Sequence, residues 1–156
     1  MILEHNLTMA ANATRINGTC VSIDGHGVLL RGPSGSGRSD LALRLIDEGA
    51  HLVADDWTEV TVEAGRVFVS APPAIAGLIE ARGLGILALG CETRAPLALI
   101  VDLVDSGAVE RLPEPARCDI AGLPVPCVRL APFEASAAAK VRLALRLVAG
   151  HIKAIP

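Results

Sequence analysis

One segment constrains the fold of this chain more than any other. It is the run Gly32-Pro33-Ser34-Gly35-Ser36-Gly37-Arg38-Ser39, which matches the pattern G-x-x-x-x-G-K-[ST] except that arginine stands in the place of lysine. In such a glycine-rich loop, backbone N–H groups turn toward a polyphosphate, and the N-terminus of the following helix adds its positive dipole end. The hydroxyl of Ser39 would hold Mg²⁺. The segment therefore predicts a nucleotide-binding loop.

The residues around this loop have the pattern that such a loop requires. Residues 27–31, Gly-Val-Leu-Leu-Arg, have an apolar centre and predict a strand that enters the loop. Residues 39–48 predict a helix that leaves it, because Leu41 and Leu45 are four residues apart and Gly49 can end the helix. A strand, loop and helix in this order predict an α/β domain built around a phosphate site.

Length and composition indicate one domain without nucleic-acid or membrane partners. The chain has 156 residues, of which 51% are hydrophobic, so we expect a single domain over residues 16–156 and a loose arm over residues 1–15. The net charge is -3 and only 2% of residues are aromatic, which argues against nucleic-acid binding. The N-terminus does not resemble a signal peptide, and no apolar run reaches the ~18 residues of a membrane span. We therefore expect a cytoplasmic protein.

Other residues predict a mixed sheet with flanking helices. Further strands or turns are expected at residues 18–23, 51–54, 58–62, 66–69, 97–104 and 112–132, and a last helix at residues 134–149. The four cysteines have no C-x-x-C spacing, so we interpret them as buried reduced thiols rather than metal ligands. Trp57, Phe68 and Phe133 are interpreted as packing residues.

A pair of acids, Asp55 and Asp56, follows the apolar strand 51–54. In nucleotide-binding folds an acid at such a strand end reaches the Mg²⁺ that the loop holds, and a second acid can accept a hydroxyl proton. The alternative is a solvated turn. Together with the loop, the pair favours phosphoryl transfer.

With these residues in view, the chain resembles the catalytic domain of the HPr kinase/phosphorylase family, in a short form without the family's N-terminal domain. The resemblance runs from about Ile16 to the last helix. It rests on the loop 32–39, on the segment 52–56 that ends in the acid pair, and on residues 79–86, Ile-Glu-Ala-Arg-Gly-Leu-Gly-Ile, which are similar to the family's E-x-R-G-x-G signature. Residues 109–112 resemble the family's site for a catalytic arginine.

The resemblance implies ATP and Mg²⁺ as cofactors and phosphorylation of a serine on HPr, a small phosphocarrier of the sugar phosphotransferase system, or on a related protein. It implies that Ser39 and Glu80 are the Mg²⁺ ligands and that Asp56, with Asp55 beside it, accepts the proton. Arg82 and Arg111 would contact phosphates or hold the catalytic loop, with a structural ion pair as the alternative. Many members also remove the phosphate with inorganic phosphate, and members form hexamers.

Two residues depart from the family pattern at its chemical centre. Arg38 replaces the family's lysine, and Asn17 replaces a histidine near the acid pair. A planar guanidinium is not equivalent to a compact ammonium, and an amide does not titrate near neutral pH. The chain has 12 arginines and 2 lysines, so Arg38 also fits a general compositional drift. Three functions stay open: an HPr kinase with slowed transfer, a degenerate module that senses nucleotide or phosphate, and a kinase for another hydroxyl.

Overall fold

Eleven strands and two α-helices make up residues 14–156, the part of the chain that this computed structural model describes. The strands are β1 (Thr14–Asn17), β2 (Thr19–Ile23), β3 (His26–Arg31), β4 (His51–Ala54), β5 (Trp57–Glu63), β6 (Arg66–Ser70), β7 (Leu78–Ala81), β8 (Gly85–Ala88), β9 (Ala95–Leu103), β10 (Ala116–Ile120) and β11 (Leu123–Leu130). The helices are α1 (Arg38–Asp47) and α2 (Ala137–Val148).

Nine of these strands form one mixed sheet. Its order is β1-β5-β6-β9-β3-β2-β4, and β11 also pairs with β9 while β10 pairs with β11. Strand β9 is shared, because Ala95 and Pro96 pair with β6 whereas the rest of the strand pairs with β3 and β11. The sheet curls at this strand. Strands β7 and β8 form a separate hairpin.

Strand direction gathers several loops at one edge of the sheet. Strands β3 and β11 both run parallel to β9. Strand β4 has the same direction as β3, because both are antiparallel to β2. The loops that follow β3, β4, β9 and β11 therefore leave from the same edge, which is where ligands bind in sheets of this kind.

The core has two layers, one on each face of the sheet. Helices α1 and α2 pack on one face, where Val28 and Leu30 of β3 meet Leu41 and Val141. On the opposite face, Leu29 points into a second cluster formed by the curled strands themselves. Neighbouring residues of β3 are thus buried on both sides, which explains its continuous apolar run. Both helices lie on the same face, so strands rather than helices cover the other one.

Most predicted elements are present, with shifted ends. The expected loose arm 1–15 is wrong at Thr14 and Arg15, which belong to β1 and pair with β5; residues 1–13 lie outside the described part. The last helix begins at Ala137, three residues later than predicted, because the N–H of Ala137 closes a turn on the carbonyl of Glu134 at 3.1 Å.

Two predictions about side-chain burial are wrong. Only Cys20 among the four cysteines is buried; Cys91 is exposed, and Cys118 and Cys127 are half-buried. Among the aromatic residues expected to pack, Trp57 and Phe133 are exposed rather than part of the core, and Phe68 is half-buried. Neither helix in this part of the chain has the length and hydrophobicity that a membrane crossing requires.

Candidate functional site

The loop 32–39 joins β3 to α1, as its sequence predicts. Its last glycine, Gly37, has φ +95°, and its carbonyl accepts the N–H of Leu41 at 2.9 Å to begin the helix. A Cβ at this position would lie 2.9 Å from Cζ of Phe133. Glycine is therefore required both by the backbone conformation and by the close approach of the ring.

A polar group in this loop lacks a protein partner. The hydroxyl of Ser36 is buried and has no hydrogen-bond partner among residues 14–156. Burial of a hydroxyl without a hydrogen-bond partner is costly, and an anion in the loop would accept a hydrogen bond from this hydroxyl. The loop therefore suits a bound phosphate group.

Asp55 is the centre of a buried hydrogen-bond network. Its Oδ1 accepts from the hydroxyl of Ser39 at 2.8 Å and from the hydroxyl of Thr19 at 2.9 Å. Its Oδ2 accepts from the backbone N–H of Glu80 at 3.1 Å. These three donors come from the loop, from β2 and from β7, so they hold the carboxylate against the loop. Sequence reasoning missed Thr19, whose only signal was a hydroxyl at the start of an apolar strand.

Asp56 has a different environment from its neighbour. Its side chain is 58% exposed, whereas Asp55 is buried. Its backbone has φ +66°, and the N–H of Trp57 donates to the carbonyl of Asp55 across it at 2.7 Å. This is a γ-turn with positive φ, a rare and strained conformation for a residue with a Cβ. The backbone thus turns the Asp56 carboxylate out of the sheet edge and toward solvent.

Arg38 binds Asp56, the candidate proton acceptor, and Asn17. Its Nη2 lies 3.0 Å from Oδ1 of Asp56, and its Nη1 donates to Oδ1 of Asn17. The Arg38 side chain is only 10% exposed. The two positions that depart from the family pattern are therefore in direct contact with each other. The guanidinium also forms an ion pair with the Asp56 carboxylate. The amide oxygen of Asn17 accepts a bond that a protonated imidazole could not accept.

The remaining predicted site residues are less well connected. Glu80 contacts the site through its backbone, and its side chain is exposed. Arg82 is exposed in the turn between β7 and β8, and Arg111 is exposed in the loop before β10. Neither arginine takes part in a salt bridge with another residue of the described range. The alternative role of these two arginines, in a structural ion pair, therefore finds no acidic partner in this part of the chain.

A cleft of about 770 Å³ opens beside the loop. Its walls come from the loop itself and from the segments that follow β9 and β11; they include Pro33, Gly35, Ser36, Leu103, Asp105, Ser106, Pro132, Phe133 and Glu134. The volume is in the range of small-molecule sites. Sequence reasoning missed the walls after β9 and β11, because only the parallel pairing with β3 brings these distant segments together.

The residues at the loop fit a magnesium ion with a nucleotide. No group of three or more His, Cys, Asp or Glu side chains that could hold a metal occurs within residues 14–156. Mg²⁺ is commonly held by one or two carboxylates together with substrate phosphates, so a complete protein cage is not needed. The hydroxyl of Ser39 and the carboxylate of Asp55 are oxygen ligands of the kind Mg²⁺ prefers, and they are 2.8 Å apart. Glu80 contacts the site through its backbone N–H, and its carboxylate is exposed.

Comparison with known proteins identifies the domain. Residues 8–141 match the model of the HPr Serine kinase C-terminal domain. The HPr kinase/phosphorylases of Burkholderia lata and Burkholderia cenocepacia are 41% identical over 129 residues, which cover 75% of this chain and 39% of each relative. The chain thus spans well under half the length of these curated relatives.

A solved structure has the same architecture. The structure described as the Hpr(Ser) kinase/phosphatase from Coxiella burnetii superimposes with a TM-score of 0.74 at 26% sequence identity, covering 88% of this chain and 90% of that chain. The predicted α/β fold of the HPr kinase type is therefore confirmed. The family match, the relatives and the shared fold agree with the loop and the acid pair at one sheet edge. This chain therefore belongs to the HPr serine kinase family, whose C-terminal domain it matches.

Proposed function

We propose that the chain is an ATP-dependent protein serine kinase that acts on HPr or a related phosphocarrier. The observation that carries the proposal is the bond between Ser39 and Asp55, which joins the loop to the acid pair and leaves Asp56 facing solvent beside it. Loop, metal ligands and proton acceptor are thus combined within one sheet edge. The names of the relatives support HPr as the acceptor. The cytoplasmic location stays a prediction.

In the proposed reaction, each residue has a distinct role. The backbone N–H groups of the loop and the hydroxyl of Ser36 bind phosphates, and the cleft lined by Phe133 receives the rest of the nucleotide. Ser39, Asp55 and Glu80 would hold Mg²⁺, which would neutralise the charge that develops on the phosphates during transfer. Asp56 accepts the proton of the serine hydroxyl as the phosphoryl group is transferred to its oxygen. Arg82 and Arg111 approach the phosphates from their exposed loops.

One contact favours a second candidate function. Arg38 already pairs with Asp56, so the proton acceptor is neutralised unless the guanidinium turns toward a phosphate. If the pair persists with nucleotide bound, the chain binds Mg·ATP and transfers poorly. This contact favours a module that senses nucleotide or phosphate, retained through its partners. Removal of phosphate by phosphorolysis would need the same carboxylate and would be impaired in the same way.

The test separates binding from transfer. Calorimetry with Mg·ATP should show binding that Ser39→Ala weakens, and Asp56→Asn should retain that binding while it abolishes transfer of labelled phosphate to HPr. The control is Asp119→Asn, which changes an exposed aspartate on β10 and should leave both properties unchanged. Binding without transfer in the parent protein would support the sensing module. Neither binding nor transfer would exclude both functions.

A homo-oligomer, a hexamer by family resemblance, is part of the same proposal. Sedimentation equilibrium of the purified chain measures its mass directly. A monomer at micromolar concentration would contradict the hexamer without affecting the nucleotide site.

A further inference from the structure

A pair of thiols lies on the hairpin formed by β10 and β11, outside the site described above. Cys118 is on β10 and Cys127 is on β11, and their Sγ atoms are 2.8 Å apart. Cys127 is opposite Ala116 in the register and Cys118 is opposite Val125. The two cysteines are therefore diagonal neighbours on the same face of the hairpin. Nothing in the proposed kinase reaction uses them.

The two sulfurs are close enough to bond after a small movement. A disulfide has an S–S distance of about 2.05 Å, so closing the gap needs a shift of roughly 0.8 Å. Both side chains are half-buried rather than sealed in the core, so a small reagent can reach them. The strand pairing already holds the two backbones at a fixed separation, which removes most of the chain entropy of bringing the thiols together.

A positive charge distinguishes the two thiols. Nη2 of Arg31 lies 3.3 Å from Sγ of Cys118, and the same guanidinium makes two bonds to Asp102, at 2.9 Å and 3.2 Å. The hydrogen bond to Asp102 raises the pKa of Arg31, so the guanidinium stays charged beside the sulfur. Cys118 is thus the sulfur of the pair that directly faces a charged hydrogen-bond donor.

Cys127 is the thiol that keeps its proton. Burial, and then the hydrogen bond and charge of Cys118, raise its pKa to about 11. Two unlike thiols at contact distance are the arrangement of an attacking and a resolving cysteine. Once the Cys118 sulfur is bonded to another sulfur, it accepts the hydrogen bond from Cys127 less well, so one of the causes that raise the pKa of Cys127 is weakened.

We propose that Cys118 and Cys127 form a reversible redox modification site, in which a low-molecular-mass disulfide such as glutathione disulfide converts the pair into an intramolecular disulfide. The thiolate of Cys118 attacks one sulfur of the reagent, the reagent's S–S bond breaks, and one thiolate leaves with the proton that Cys118 released. The sulfur of Cys127 then attacks Sγ of Cys118, and the second reagent thiolate leaves with the proton of Cys127. The protein loses two protons and two electrons, and the reagent disulfide becomes two thiols.

Oxidation of the two thiols would also affect the phosphate loop, through Arg31. Arg31 immediately precedes Gly32, and its contact with Cys118 depends on a sulfur that can accept a hydrogen bond. A disulfide sulfur is a poor acceptor, so oxidation leaves Arg31 with Asp102 alone. The modification therefore changes the anchor of the strand that carries the phosphate loop.

The test counts thiols in the full chain. The protein is treated with glutathione disulfide, free thiols are alkylated in acid-quenched samples, and the cross-link is located by peptide mapping without reduction. In Cys91→Ser, which lacks the exposed thiol that the reagent also reaches, we expect loss of two alkylatable thiols, a peptide that joins Cys118 to Cys127, and recovery of both thiols with dithiothreitol. Cys20 should stay unreacted, because burial raises its pKa.

Four variants keep the test decisive. Cys91→Ser removes the exposed cysteine and should leave the cross-link intact. Cys127→Ser should stop the reaction at a mixed disulfide on Cys118. Arg31→Gln should slow the first step, whereas Arg117→Gln, an exposed arginine beside Cys118 in sequence, should not. The proposal is overturned if both thiols stay alkylatable in the folded parent protein, or if disulfides form only through Cys91.

Discussion

At the scale of single residues, the site depends on how two neighbouring aspartates are separated by the backbone. Asp55 is buried and accepts three hydrogen bonds, while Asp56 follows it with φ +66° and an exposed carboxylate. The strained turn at Asp56 is what gives the adjacent acids different environments. Arg38 then determines whether the exposed acid is free to accept a proton.

The strain at Asp56 predicts an unusual order of stability. Asp56→Gly should be more stable than Asp56→Ala by about 1–2 kcal/mol, because both lose the carboxylate but only alanine keeps a Cβ at positive φ. Urea denaturation of the two variants measures the difference. Alanine is normally the better residue, so an equal or higher stability of Asp56→Ala would show that the turn is unstrained.

The contact between Arg38 and Asn17 predicts coupled effects on catalysis. Arg38→Lys should raise the rate of transfer to HPr by roughly tenfold or more, because it frees Asp56 and a positioned base contributes about 10²–10⁴. Asn17→His should add a gain that depends on pH near neutrality. The two changes should be non-additive, since their side chains touch.

The measurement for this pair is the initial rate of phosphate transfer at saturating Mg·ATP. Arg117→Lys, on the exposed face of β10, is the matched control and should leave the rate unchanged. No gain in the double variant, with Mg·ATP binding retained, would argue against a kinase that is impaired only at these two positions.

At the scale of elements, the strand-loop-helix unit is completed by a segment far away in the chain. The ring of Phe133, which follows β11, contacts Gly37 and lines the cleft beside the loop. The loop after β9 forms the opposite wall. The candidate site is therefore shaped by β3, β9 and β11 together, and the loop pattern by itself supplies only the end at which we propose that phosphates bind.

Substitutions at two glycines of the loop distinguish the effect of backbone strain from the effect of contact with the Phe133 ring. Gly35→Ala and Gly37→Ala both place a Cβ at positive φ, and each should lower the free energy of unfolding by about 1–2 kcal/mol. Only at Gly37 does the new Cβ meet the ring of Phe133, whereas nothing lies within 4 Å at Gly35. Gly37→Ala should therefore displace the ring into the cleft.

Calorimetry with Mg·ATP distinguishes the two loop variants. Affinity should fall further in Gly37→Ala than in Gly35→Ala, and Phe133→Ala should recover part of the loss in the first variant only. Equal affinities in the two single variants would mean that the ring has no influence on the site.

At the scale of the whole molecule, stability comes from a curled sheet with a core on each face. Leu29 is fully buried in the cluster beneath the curl, and Leu84 is 77% exposed in the turn between β7 and β8. Leu29→Ala should lower the free energy of unfolding by about 2–5 kcal/mol, because it leaves a cavity. Leu84→Ala should change it by less than about 0.5 kcal/mol. Chemical denaturation measures both, and similar losses would contradict the two-layer core.

The sequence by itself determined the local parts of this protein. The loop 32–39, its strand and helix, the acid pair after β4 and the mixed α/β class follow from glycine spacing, apolar periodicity and strand-end acids, all of which act over short chain distances. It could not place Thr19 beside Asp55, Arg38 on Asp56, Phe133 against Gly37 or Cys118 against Cys127. The contact of Phe133 with Gly37 depends on segments that parallel pairing brings together. The other three contacts depend on pairing between neighbouring strands. Register and parallel order are set by packing across the whole sheet, so only the tertiary structure decided which polar groups meet.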